Sequence, residues 1–224
     1  MGSQFDSIQE AVSEILSTIP EHVTLLAAAK TRSLQEVEAV IAAGITHIGY
    51  NYVQEALPII TAVGDRARWH MIGHLQRNKT KDVVENFDML ETLDSWRLAK
   101  ELEKRCSAMG KTMPVLVEVN SGRESSKTGV TPGKVIELVE KVSQLEHLHI
   151  QGLMTMGPRF GDPQESRPYF QITRKIFDQL AALKLPNVDM RTLSMGMSNS
   201  YLVAIEEGAN IVRIGTRLFG ARDD

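Results

Sequence analysis

A short apolar run followed by an amphipathic helical pattern recurs along this chain, and this alternation limits the possible folds more than any other feature. The predicted strands are residues 23–30, 46–49, 68–72, 87–91, 114–119, 148–154, 190–194 and 210–214. Strands separated by helices form parallel sheets with right-handed crossovers. About eight such units close a sheet into a barrel. We therefore predict an α/β fold, a (β/α)8 TIM barrel, that spans residues 1–224 as a single domain.

The helical patterns between these runs begin at capping residues, among them Ser33 and Asp94, and several end at a glycine. An extra N-terminal helix is predicted over residues 7–19, before the first strand. The other predicted helices are residues 34–41, 53–63, 76–85, 94–109, 132–142, 165–183 and 198–207. An open, doubly wound sheet is the alternative architecture. No glycine-rich dinucleotide fingerprint follows the first strand, which disfavours that alternative.

Composition excludes several classes of protein. The net charge of −3 is spread without long runs of like charge, which argues against nucleic acid or an anionic membrane as the main partner. The one cysteine, Cys106, lies in a predicted helix, so no disulfide framework is expected and a reducing compartment fits. No secretory signal or membrane span is recognisable. We expect a cytoplasmic protein, and a monomer, because the exposed helices show no apolar seam.

The first predicted strand ends in one long amine, that of Lys30. In parallel α/β folds ligands bind at the carboxyl ends of the strands, so an amine placed there is a candidate for a Schiff base with an aldehyde or ketone. A solvated surface lysine that merely closes a strand is the commoner explanation for this segment taken alone.

Closure of the barrel would bring Lys30 next to Arg213 on the last strand. Side chains alternate along a strand, so Ala28 shares the face of Lys30, and Gly215 shares the face of Arg213. The small Ala28 would leave room for an occupied pocket. The alternative role for Arg213 is an ion pair with a barrel carboxylate such as Glu118.

The loops after the last two predicted strands are rich in phosphate-binding groups. Ser194 and Ser198 flank the turn after the seventh strand, and Gly215 and Thr216 follow the eighth. Barrels frequently bind phosphate at this corner, although each piece alone is also typical of an ordinary capped turn. Beside a candidate Schiff-base lysine, these groups favour a phosphorylated aldehyde, and pyridoxal phosphate fits both ends of such a site.

The chain resembles the pyridoxal phosphate homeostasis protein family, a stand-alone relative of the barrel domain of alanine racemase. The stretches that carry the resemblance are residues 25–30, 49–55, 69–79, 126–129, 152–154, 193–198, 212–216 and 219–222. The chain departs from the family pattern at Tyr50, where a glutamate is usual, and at Ala29, where a serine is common.

The resemblance implies a set of cofactor-binding residues. Lys30 would form the internal aldimine with pyridoxal 5′-phosphate, Arg213 would face the pyridine nitrogen, and Asn51 would lie beside the ring. The residues implied around the phosphate are Ser194, Ser198, Gly215 and Thr216. Trp69, His70, His74 and Gln76 also match the family, but no chemistry follows for them, and a buried structural role is the preferred interpretation for the histidines.

The function implied is the binding, buffering and delivery of pyridoxal phosphate to apo-enzymes, with no catalytic residues and no metal. An arginine against the ring nitrogen would keep that nitrogen unprotonated and weaken the ring as an electron sink. The chain ends soon after the last predicted strand, and we expect no additional β domain of the kind alanine racemases use.

Two alternatives remain open from the sequence. One is a small amino-acid racemase that uses Lys30 and a second acid such as Tyr52 or His70. The other is a Schiff-base aldolase without a cofactor.

Overall fold

Eight parallel strands form a closed barrel in the computed structural model, which describes residues 4–124, 128–158 and 161–221. The strands follow chain order around the barrel, and β1 closes it by pairing with β8. Their bounds are β1 Thr24–Ala28, β2 His47–Tyr50, β3 Arg68–Met71, β4 Met89–Leu93, β5 Met113–Val119, β6 Leu148–Thr155, β7 Val188–Ser194 and β8 Ile211–Ile214. The predicted TIM barrel is confirmed, and the open sheet is excluded. The assignment of all 224 residues to one domain stays a prediction.

Helices alternate with the strands and surround the barrel. Within the described residues their bounds are α1 Gln4–Thr18, α2 Leu34–Ala42, α3 Val53–Val63, α4 Thr80–Asn86, α5 Trp96–Met109, α6 Val135–Val142, α7 Arg167–Leu183, α8 Tyr201–Glu206 and α9 Thr216–Phe219. Short 3-10 turns precede α4, α6 and α7. None of the helices within these described ranges is long and apolar enough to cross a membrane.

Several helix starts differ from the prediction by two to four residues, and two of these differences concern a predicted capping residue. Helix α5 is capped by Ser95, whose hydroxyl accepts a hydrogen bond from the Leu98 amide, and not by Asp94. Helix α8 begins at Tyr201 and not at Ser198. The Ser198 hydroxyl instead accepts a hydrogen bond from the Gly215 amide, which ties the loop after β7 to the loop after β8.

Most apolar side chains pack between the sheet and the surrounding helices, whereas the inside of the barrel holds a small separate cluster. Leu26, Ile72 and Ile211 form that inner cluster, and Ala28 packs against it. A Cβ added to Gly49 on β2 would lie 2.6 Å from Leu26 Cδ2. These small residues leave space above the cluster at the carboxyl ends of the strands. Most of the remaining buried apolar side chains, including the fully buried Cys106, belong to the outer layer.

Candidate functional site

A cavity of about 590 Å³ opens at the carboxyl ends of the strands, a size typical of small-molecule sites. Its lining residues come from β1 and β8 and from the segments that follow β1, β2, β3, β6, β7 and β8. They are Ala28, Lys30, Asn51, Ile72, Met156, Gly161, Met197, Ser198, Asn199, Arg213, Gly215 and Thr216. Six of the seven predicted cofactor-binding residues are therefore brought together, although they are distant in sequence.

Lys30 lies two residues beyond the end of β1. Its Nζ sits 4.9 Å from the centre of the Tyr52 ring, and no carboxylate of the described residues pairs with it. The next residue, Thr31, has a φ of 64°, a left-handed conformation that is unusual for a β-branched residue. The Thr31 amide donates a hydrogen bond to Glu55 Oε2 at 3.0 Å. This tight turn directs the chain away from the strand immediately after the amine.

Arg213 is 4% exposed and is held by the barrel on two sides. Nη1 donates to the Ser194 hydroxyl at 2.6 Å, and Nη2 donates to the Thr155 carbonyl at 2.8 Å. Nη1 also lies 3.9 Å from Glu91 Oε2. Burial lowers the pKa of Arg213, and the charges of Glu91 and Glu118 oppose that effect. Arg213 thus lines the cavity and also pairs with a barrel carboxylate, which is Glu91 rather than the anticipated Glu118.

Ser194 is the predicted site residue that does not line the cavity. Its side chain is fully buried; the hydroxyl accepts from Arg213 and donates to Glu91 Oε2 at 2.6 Å. Both hydrogen-bonding functions of this hydroxyl are thus used inside the barrel. This geometry does not support the predicted contact between Ser194 and a phosphate, because the side chain is buried and does not line the cavity.

Hydroxyls and backbone amides cluster where the loops after β7 and β8 meet. The Ser198 hydroxyl accepts from the amides of Gly215 and Arg217, each at 3.4 Å. The Thr216 hydroxyl lies 3.2 Å from the same oxygen and donates to it. Asn199 reaches across to the Gly161 carbonyl and ties this corner to the loop after β6. Because their hydrogen bonds to Ser198 are long, these donors can also bind an anion in the cavity.

Asn51 follows β2 and contributes to two adjoining cavities. It lines the main cavity and also a neighbouring one of about 270 Å³ that includes Tyr52 and His74. Gly73 packs so closely against the Asn51 backbone that a side chain at Gly73 would overlap it. The close approach of these two strand ends fixes the position of Asn51 at the rim.

The two histidines that match the family pattern, His70 and His74, have different environments. His70 is 2% exposed, as expected for a buried structural residue, and its ring nitrogens bond to Glu91 and His47. The same expectation is wrong for His74, whose side chain is 53% exposed and pairs with Asp94 at 3.2 Å. Of the family stretches, Ser126, Lys127 and Arg222 lie outside the described residues. Within the described ranges, no group of three or more side chains of the kinds that bind metals is suited to hold an ion.

Glu91 is the residue near the site that sequence reasoning missed. The sequence pattern predicts Glu91 at the end of the fourth strand, but it is fully buried in the middle of β4. The sequence signal for Glu91 is its place within the largely apolar run from Met89 to Leu93. A carboxylate buried in such a run must be paired with another polar group. Burial alone would raise its pKa, but the hydrogen bond and charge of His70, with Arg213 and Ser194, bring the pKa below its usual value.

Comparison with known proteins gives consistent matches over nearly the whole chain. The family model described as alanine racemase, N-terminal domain, matches residues 4–223. A pyridoxal phosphate homeostasis protein of Vibrio alginolyticus is 38% identical, with 97% of this chain and 98% of that protein covered. The protein of the same name from Aquifex aeolicus is 42% identical, with 88% and 86% covered. The structure of PipY of Synechococcus elongatus PCC7942, with PLP bound, is 32% identical and superposes with a TM-score of 0.87, covering 95% of this chain and 100% of that one.

Proposed function

The chain belongs to the pyridoxal phosphate homeostasis protein family, and on that premise we propose that it binds pyridoxal 5′-phosphate at Lys30 and takes part in intracellular vitamin B6 homeostasis. The observation that carries the proposal is the convergence of an amine, a guanidinium and a hydroxyl-rich corner on one cavity. The structure of the relative PipY with PLP bound supports the choice of cofactor.

The lining residues fit the parts of this cofactor. Pyridoxal phosphate supplies an aldehyde and an electron-accepting ring when bound. The Lys30 amine would hold the cofactor through its aldehyde, and Ser198, Gly215 and Thr216 would donate hydrogen bonds to the phosphate. Arg213 would place a fixed positive charge against the ring nitrogen, and Asn51 would border the ring. Ala28 leaves the space for the ring, because a larger side chain on that face of β1 would fill the cavity.

We propose that the protein holds and releases the cofactor and does not use it for dedicated turnover. Arg213 disfavours protonation of the ring nitrogen and so keeps the electron sink weak. Among the described lining residues, only Lys30 and Arg213 carry ionisable side chains. The relatives are named homeostasis proteins, which agrees with a role other than catalysis.

The racemase alternative needs a second acid near Lys30, and the two candidates are Tyr52 and His70. His70 lies inside the barrel, bonded to Glu91 and His47, and does not line the cavity. Tyr52 is the remaining candidate, with its ring 4.9 Å from the Lys30 Nζ. Exchange of solvent deuterium into the α-position of amino acids at enzyme-like rates, abolished by Tyr52→Phe, would establish the alternative and end the proposal of a non-catalytic role.

The direct test of cofactor binding is the visible absorption of the purified protein titrated with pyridoxal phosphate. The wild-type protein should turn yellow, and borohydride should fix the cofactor on the peptide that contains Lys30. Lys30→Ala should stay colourless. The control is Lys81→Ala, which removes an exposed lysine of α4 that pairs with Glu85 and should leave the spectrum unchanged. Equal colour in Lys30→Ala and the wild type would contradict the assignment of Lys30.

Delivery to other proteins is the finer part of the proposal. The loaded protein should activate an apo-enzyme that requires pyridoxal phosphate even when a scavenger removes free aldehyde from solution. Activation that disappears entirely with the scavenger would indicate release and rebinding instead of transfer. The cytoplasmic location and the monomeric state stay predictions.

A further inference from the structure

A continuous chain of hydrogen bonds, the interior chain, crosses the barrel beneath the cofactor cavity. It consists of Arg213, Ser194, Glu91, His70 and His47. Nη1 of Arg213 donates to the Ser194 hydroxyl at 2.6 Å, and that hydroxyl donates to Glu91 Oε2 at 2.6 Å. On the other side of the carboxylate, Oε1 of Glu91 lies 2.7 Å from His70 Nδ1. His70 Nε2 lies 2.9 Å from His47 Nδ1.

The interior chain connects the two ends of the barrel. Arg213 lines the cavity at the carboxyl ends of the strands. His47 and His70 line a different cavity, of about 320 Å³, whose walls include Thr24 and Arg68, the first residues of β1 and β3. Four strands, β2, β3, β4 and β7, supply the groups between the arginine and this opposite mouth. The Arg213 guanidinium is therefore linked through hydrogen bonds to side chains of four other strands, and these links extend across the barrel.

The chemistry of the interior chain makes Glu91 its centre. An ionised carboxylate can only accept hydrogen bonds, so the Ser194 hydroxyl and His70 Nδ1 must both donate to it. Ser194 then has its oxygen free to accept from Arg213, as the geometry shows. Both arms therefore end on one carboxylate, which is fully buried and lies 3.9 Å from the Arg213 Nη1.

We propose that Glu91 is the positioning residue for Arg213: through Ser194 it fixes the direction of the guanidinium, and by its charge it balances the buried cation. The role in cofactor binding rests on the proposed function, because it requires Arg213 to meet the ring. Ser194 holds Nη1 and the Thr155 carbonyl holds Nη2, so the planar group cannot turn away from the cavity without breaking one of these bonds. His70 in turn holds the carboxylate in place from the other side.

The first test does not depend on the cofactor. In the cofactor-free wild-type protein, long-range ¹H–¹⁵N spectra should show His70 with a proton on Nδ1 and a downfield N–H resonance, assigned by its loss in His70→Gln. In Glu91→Gln this resonance should move upfield or disappear, because the anionic acceptor is gone. A His70 ring that carries no proton on Nδ1 in the wild type would overturn the assigned direction of the interior chain.

The second test measures the effect on the cofactor. Glu91→Gln should bind pyridoxal phosphate about tenfold more weakly or worse, the loss that corresponds to one charge-assisted hydrogen bond. The absorption maximum of the bound cofactor should also shift, because its ring nitrogen meets a less ordered guanidinium. Glu118→Gln is the matched control, since it neutralises another buried carboxylate of the barrel that accepts from Thr128 and not from the interior chain.

Ser194→Ala keeps the protein testable if Glu91→Gln does not fold. This variant retains the carboxylate and removes only its link to Arg213, so affinity should fall and the spectrum should shift in the same direction. Unchanged affinity and spectrum in Ser194→Ala, or equal losses in Glu91→Gln and Glu118→Gln, would overturn the positioning role. A wild-type protein that fails to bind pyridoxal phosphate would instead refute the proposed function and leave the histidine test in force.

Discussion

At the scale of single residues, the position directly after Lys30 has a strained backbone. Thr31 adopts a left-handed φ of 64°, which a β-branched side chain disfavours, and its amide is held by Glu55. Such strain persists only where the surrounding structure fixes it, and it occurs often at functional sites. The turn sends the main chain away from the cavity while the amine of Lys30 remains among its lining residues.

Thr31→Asn should therefore stabilise the protein. Asparagine tolerates the left-handed region, and the backbone bond to Glu55 is retained, so the free energy of unfolding should rise by about 1 kcal/mol. Urea denaturation measures this change. Thr61→Asn, at an exposed position within α3, should change stability little because the two residues have similar helix propensities. A Thr31→Asn protein no more stable than wild type would show that the turn is not strained.

A second prediction at this scale concerns the pH dependence of stability. Glu118 is buried, its Oε2 has no hydrogen-bond partner among the described residues, and burial raises its pKa even though Thr128 donates to its other oxygen. A carboxyl with a higher pKa in the folded state adds stability below its unfolded value, near 4.5, and that stability is lost as the pH rises through the folded pKa.

The wild-type protein should therefore become less stable relative to Glu118→Gln as the pH rises above about 4.5. The measurement is urea denaturation of both cofactor-free proteins at several pH values. The readout is the slope of the free energy of unfolding against pH, because the cost of burying the glutamine amide is the same at every pH. Parallel curves for the two proteins would contradict the raised pKa.

At the scale of elements, the contact between β6 and β7 depends on one glycine. The register of β6 shifts against β5 near Leu116 and against β7 near Gly152, as at a β-bulge. Gly152 has a φ of 151°, and a Cβ there would overlap the Thr192 carbonyl oxygen. Thr192 precedes the buried Ser194 by two residues, so this contact also sets the position of the interior chain.

Gly152→Ala should cost more than about 3 kcal/mol of stability or leave the protein insoluble, because β7 would have to move. The comparison is Gly133→Ala, where an added Cβ meets nothing within 4 Å. Denaturant midpoints and solubility of the two variants are the measurements. A Gly152→Ala protein within about 0.5 kcal/mol of Gly133→Ala would show that β6 and β7 can separate freely.

The strand and helix order could be predicted because each unit carries its own local pattern, whereas helix starts depended on side-chain contacts with other loops. Ser198 illustrates the difference. It resembles a helix cap in sequence, but its hydroxyl accepts a hydrogen bond from the Gly215 amide in the next loop. Asp94 and Ser95 are both suitable caps, and only the structure decides between them. Pattern reasoning therefore located the elements and erred at their ends.

At the scale of the whole molecule, barrel closure made most of the site predictable. Once β1 and β8 are neighbours, Lys30 and Arg213 belong at the same edge, and the loops after β7 and β8 follow. The interior chain could not be foreseen, since Glu91 joins groups from strands far apart in sequence and no local pattern records which buried side chains meet. The position of Ser194 after the seventh predicted strand suggests a phosphate contact, because its buried partners Glu91 and Arg213 lie on other strands.

Because the cavity exists only when the barrel is closed, cofactor binding should stabilise the entire fold. A ligand at about 100 times its Kd adds about 2.7 kcal/mol, which for a chain of this length corresponds to a rise in Tm of roughly 5–10 °C. Calorimetry of the wild type with and without pyridoxal phosphate should show this rise, and inorganic phosphate at the same concentration should give much less. Lys30→Ala should lose most of the effect, since only the non-covalent contacts remain. An equal rise in Lys30→Ala would mean that the aldehyde reacts elsewhere on the protein and that closure of the barrel is not linked to this site.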